Sequence, residues 1–129
     1  MGEQFVGIPQ LLSTNVFASD APIAIAFELT EMTIPAKDTV NNFESKFEIA
    51  FDYNKEVDYV QGKEFKAQFE VIEANGLPQV TIKLFDYDKN EELFPVGNFT
   101  LNTNWGSKSE VTWWYKATKY SISATPKKR

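Results

Sequence analysis

Apolar residues recur at every second position through most of this chain, and that period constrains the fold more than any other feature. Ile23, Ile25, Phe27 and Leu29 share one face of an extended segment, and so do Phe47, Ile49, Phe51 and Tyr53, because successive side chains of a strand point to opposite sides. Phe43, Phe47 and Phe51 also fit a helix face, but a helix would turn Ile49 and Tyr53 away from it, so the strand reading prevails. Phe65, Ala67, Phe69 and Val71 repeat the alternation, with a helix from Lys63 to Ala74 capped by Gly76 as the competitor. Val80, Ile82 and Leu84, then Val96 to Leu101, then a long run from Val111 to Ile122 complete a set of at least six expected strands.

Each such strand has one apolar face to cover. Strands at this spacing, with turn residues such as Asn75-Gly76 between them, predict an all-β fold, an antiparallel β-sandwich of about seven to eight strands. A length of 129 residues fits one domain, and eleven Phe residues supply a core without disulfide staples. Residues 1–22 read as an N-terminal extension or edge strand, with the strand expected around Gln10 to Phe17. Residues 23–123 read as the sandwich, with Pro35 closing its first strand, and residues 124–129 as a frayed basic tail.

The absence of both Cys and His removes the Ser-His and Cys-His nucleophile systems, the common zinc ligand sets and imidazole acid/base chemistry. The expectation is therefore a binding protein and not an enzyme. A net charge of -5 repels phosphate backbones, so no nucleic-acid partner is expected. Met1 to Val6 lacks the basic and apolar regions of a signal peptide, and the apolar run Ala21 to Phe27 is too short to span a bilayer. The expected location is cytoplasmic, peripheral at membranes.

One loop concentrates carboxylates. Between Leu84 and Gly97 lie Asp86, Asp88, Glu91 and Glu92, flanked by apolar strands, and such a cluster repels itself unless a hard cation with oxygen ligands offsets it or the loop is simply a solvated hairpin tip. Counting from Asp86 puts Glu91 where an EF-hand needs Gly and Gly97 where it needs the closing Glu, which excludes that motif. The segment Phe27 to Asp38, followed by Glu44-Ser-Lys-Phe-Glu-Ile, together with Val80 to Lys89 and Val96-Gly97, resembles the C2 domain over about residues 24–116. That family is an eight-stranded β-sandwich that binds calcium and anionic lipid through loops at one end. The resemblance implies a C2-like fold with first-loop ligands Asp38 and Glu44 and third-loop ligands Asp86 and Asp88. Two departures stand out: Glu44 occupies a position where the family has Asp, and Phe94 occupies that of the fifth acid, for which Glu91 or Glu92 would substitute.

What the resemblance implies for function is calcium-dependent attachment to an anionic phospholipid surface, with bound calcium reversing the local field and Val40, Phe43 and Phe94 dipping into the interface. The alternative is a calcium-independent module for protein-protein contact or structure, acting through an exposed sheet face or edge. Its candidates are the aromatic strand Trp113 to Tyr120 and the loop around Trp105. A carbohydrate-binding sandwich using the same Trp residues is a third reading.

Overall fold

The computed structural model describes residues 15–16, 21–34 and 41–129. They form an all-β sandwich in which eight long strands make two antiparallel four-stranded sheets that do not close on each other. The first sheet has the order β3 (Asn41–Phe51), β2 (Ile23–Thr33), β9 (Thr118–Lys128), β8 (Ser109–Tyr115). The second has the order β4 (Glu56–Gln61), β5 (Phe65–Ala74), β6 (Leu77–Tyr87), β7 (Leu93–Asn102). A two-residue strand, β1 (Asn15–Val16), lies parallel to β3 at the edge of the first sheet, inside the segment expected to hold an edge strand. Every long strand lies beside its sequence neighbour, and β9 returns next to β2. The described residues therefore lack the Greek-key connection found in most β-sandwiches.

The strands form where the period of two predicts them. The helical alternative for 63–74 is overturned, because β5 buries Phe65, Ala67, Phe69 and Val71 on one face, and a helix would scatter those four around its circumference. Asn75 and Gly76, both with positive φ, make the two-residue β5–β6 hairpin. The long run from Val111 to Ile122 is two strands, since Lys116 takes φ 56° and reverses the chain into β9. The expected basic tail is also corrected: β9 continues to Lys128, with Lys127 opposite Ala24 and Lys128 opposite Ile23. Ala124 and Pro126 are buried there. Proline is tolerated because β8 ends at Ser109 opposite Ala124, so beyond that point β9 leaves the β8 ladder, and its Pro126 carbonyl accepts the Gly106 amide at 2.8 Å instead.

Phenylalanine rings dominate the space between the sheets. Phe27 stacks on Phe69 at 4.3 Å and on Phe47 at 5.3 Å, while Phe51 meets both Phe27 and Phe69 edge-on. The two open corners are sealed by side chains in place of ladder hydrogen bonds. At β3/β4, Phe47 stacks on Tyr59 at 4.2 Å and Ser45 donates to Gln61. At β7/β8, the Trp113 indole donates to the Val96 carbonyl at 2.9 Å and packs on Gly97, where a Cβ would come within 2.7 Å of the ring.

Because the strands alternate in direction, the strand ends Thr33 and Asn41, the turns at 62–64 and 116–117, and the acidic loop 88–92 all open at one end of the sandwich. Contacts between connections agree: Lys63 pairs with Glu91 at 2.8 Å, and Tyr120 of the first sheet donates to Asp86 of the second at 2.9 Å.

Candidate functional site

The acidic loop uses much of its own polar capacity to hold its shape. Asp88 Oδ1 accepts the Asn90 and Glu92 amides at 2.8 and 3.0 Å, the Asp88 amide bonds the Glu92 carbonyl at 2.9 Å, and Glu91 takes φ 63°. This is the turn chemistry by which Asp replaces a backbone acceptor. Glu92 is exposed at the tip.

Asp86 faces the other way. Its Oδ1 accepts the Tyr87 amide at 2.8 Å and its Oδ2 accepts the Tyr120 hydroxyl at 2.9 Å, which aims the carboxyl group into the gap between the sheets. There it meets Glu31 of β2. Glu31 is pushed from its ordinary 4.5 up to about 8, first by burial, then by the charge of Asp86 and hydrogen bonding with it, and least by Glu64. Its Oε2 is buried without a hydrogen-bond partner. Glu31 thus keeps its proton at neutral pH. Tyr120 is raised as well, by burial first and then by its hydrogen bond to Asp86 and the charge there. Glu31, Asp86 and Tyr120 together form a polar clamp joining β2, β6 and β9 across the core. Reading the sequence for surface acids passed over Glu31. The signal was present, since continuing Ile25, Phe27, Leu29 by two residues puts Glu31 on the buried face.

The other expected ligands do not join this clamp. Glu44 stands between Phe43 and Ser45 on β3, whose odd-numbered residues face the core, so alternation turns Glu44 onto the outer face, away from Asp86. Asp38 and Val40 lie outside the described residues. Among the described residues, which leave out Asp38, no three acids converge to hold a metal ion.

Of the residues expected to contact lipid, Phe43 and Phe94 pack partly against the core. A β-bulge where Leu84 pairs with Gly97 but Phe85 with Pro95 inserts Val96 as an extra residue, which turns Val96 and Phe94 inward and Leu93 and Pro95 outward. Phe94 consequently packs on Tyr115 at 5.9 Å, and Phe43 meets Phe65 edge-on at 6.1 Å. Both support the core beneath the loops.

The three tryptophans separate clearly. Trp113 seals the β7/β8 corner, and Trp105 is half-buried with the Lys128 ammonium 5.2 Å from its ring. Trp114 projects from the outer face of β8 with 55% of its surface exposed.

That outer face has a depression of about 480 Å³. Cross-strand register explains its shape. One row, Glu44, Thr30, Ser121 and Thr112, runs across the sheet with three short hydroxyl side chains at its centre. The next row toward the loops has longer side chains: Asn42, Met32 and Lys119 line the depression, and Trp114 stands beside it, cross-strand from Lys119. The floor is ordered, since Thr112 donates to Ser121 at 3.2 Å and Ser121 donates to Glu110 at 2.8 Å.

Comparison with known protein families, curated proteins and solved structures returns no match. The fold and the geometry of these residues therefore carry the functional argument alone.

Proposed function

We propose that this chain is a non-catalytic binding module that works without calcium and engages its ligand on the outer face of the β3-β2-β9-β8 sheet, in the groove beside Trp114. One observation carries the reading. Trp114 is the most exposed large apolar side chain among the described residues, and it stands cross-strand from Lys119 and two residues along β8 from Thr112, both of which line the polar depression. Pockets of this volume with a few fixed polar groups suit ligand binding, and an aromatic side chain beside one matters because aromatic anchors are enriched where binding energy concentrates. Hydrolysis by paired carboxyl groups finds no support in the clamp, because Glu31 and Asp86 sit between the sheets, engaged with Tyr120 and each other.

The test is to map small probes onto the surface. Amide spectra of labelled protein titrated with phenol and with isopropanol should show shifts concentrated at Thr112, Trp114, Lys119 and Ser121. Shifts centred on 88–92, or spread evenly over the surface, would contradict the reading.

Calcium-dependent attachment of a C2-like module to anionic phospholipid remains the second reading, on one observation: the strand ends Thr33 and Asn41, which flank Asp38, open at the same end as the 88–92 loop. Sedimentation with phosphatidylserine vesicles, in calcium and in chelator, tests it. Co-sedimentation only in calcium would favour it over the groove.

A further inference from the structure

We infer that the groove beside Trp114 recognises a neutral oligosaccharide, an inference that rests on the binding face proposed above. The chemistry of the lining selects this class. The floor offers hydroxyl oxygens from Thr30, Thr112 and Ser121 as acceptors, the Thr112 and Ser121 protons being donated to Ser121 and Glu110, and Asn42 adds an amide that donates. A ligand presenting many hydroxyls, each both donor and acceptor, can satisfy such a surface whichever way it lies. At the edge, the exposed Trp114 indole supplies a flat apolar platform, and a pyranose ring has a matching face of C–H groups with its hydroxyls at the rim. The titratable side chains of the lining are Glu31, Glu44 and Lys119, so the groove has no excess of positive charge with which to select a phosphate.

A folded protein partner fits less well. Stable protein interfaces need roughly 800 Å² per partner with an apolar, charge-depleted centre. Here the large apolar groups are Trp114 and Met32, and the next row of the face is Lys46, Glu28, Ser123 and Glu110, with Glu28 already paired to Lys108 at 3.4 Å. The depression opens to solvent, which suits a chain lying over the sheet and not a small molecule enclosed on all sides.

The experiment is a titration of tryptophan emission and amide spectra with soluble neutral oligosaccharide series: cello-, xylo-, malto-, manno- and chito-oligosaccharides. One series should shift the emission to the blue and move the amides of Thr112, Trp114 and Ser121. Trp114→Ala should weaken that binding roughly tenfold or more, since it removes the stacking platform. Thr112→Val, which keeps the β-branched shape and removes the hydroxyl, should weaken it less. Both substitutions are on the exposed face, and melts matching wild type would verify that the variants fold. If phenol and isopropanol populate the groove while every saccharide series leaves it unmoved, the glycan inference falls and the binding face stands, occupied by a protein segment. If a saccharide binds with undiminished affinity to Trp114→Ala, or moves amides elsewhere, the binding face itself is wrong.

Discussion

Glu31 makes the stability of this domain depend on pH in a direction opposite to that of most carboxyl groups. Its folded-state value lies above its unfolded one, so the folded protein binds a proton that the unfolded chain releases. Stability is therefore full below about 4.5 and declines as pH rises toward about 8, where Glu31 ionises beside Asp86. At about 1.4 kcal/mol per pH step, the whole interval would cost the folded state at most about 5 kcal/mol. Part of the side chain meets solvent, and screening reduces the figure to about 2–3 kcal/mol. For a domain of this size that is a fall in melting temperature of roughly 8–12 °C. The assay is a series of thermal melts between pH 5 and 8.5 on wild type and Glu31→Gln. Wild type should lose stability across the series, and the variant, which cannot ionise there, should have a much flatter profile. A flat wild-type profile, or an equal slope in the variant, would refute the reasoning.

The remaining predictions concern packing and loop order. Gly97→Ala should destabilise by about 1–3 kcal/mol, seen in urea unfolding, because the added methyl overlaps the Trp113 ring at the β7/β8 corner. Phe94→Ala should cost about 2 kcal/mol by the same measurement, since the ring is half-buried against Tyr115, whereas Trp114→Ala should stay within about 0.5 kcal/mol of wild type. Asp88→Ala should speed hydrogen exchange at Asn90 and Glu92, whose amides lose their acceptor, while changing global stability by no more than about 1.5 kcal/mol.

Much of the architecture was legible because a half-buried strand writes its period directly into the sequence. Phe65 to Val71 settled as β5 on that rule, and the acidic segment sat between two strands as expected. β4 went unread: it spans six residues, with only Val57 and Tyr59 turned inward. The β8–β9 hairpin was hidden because its turn carries Lys116-Ala117 in place of Gly or Asn, so the positive φ has no sequence marker. The site was harder to read than the fold. A list of acids does not say which way each points, and here Glu44 faces outward, Asp86 inward, and Asp88 into its own loop. The bulge at Val96 inverts the inside-outside parity of β7 and turns Phe94 toward Tyr115, which alternation alone does not give. The groove was invisible because its rows combine residues from four strands, brought together only by register.

Melting the protein in millimolar calcium and in chelator tests the central claim most directly. Recognition by the outer face without a metal predicts identical transitions, because no three described acids share a focus. A calcium site filled to a hundred times its dissociation constant would add about 2.7 kcal/mol. A rise of several degrees that vanishes in the Asp86→Asn, Asp88→Asn double variant would return function to the acidic loop.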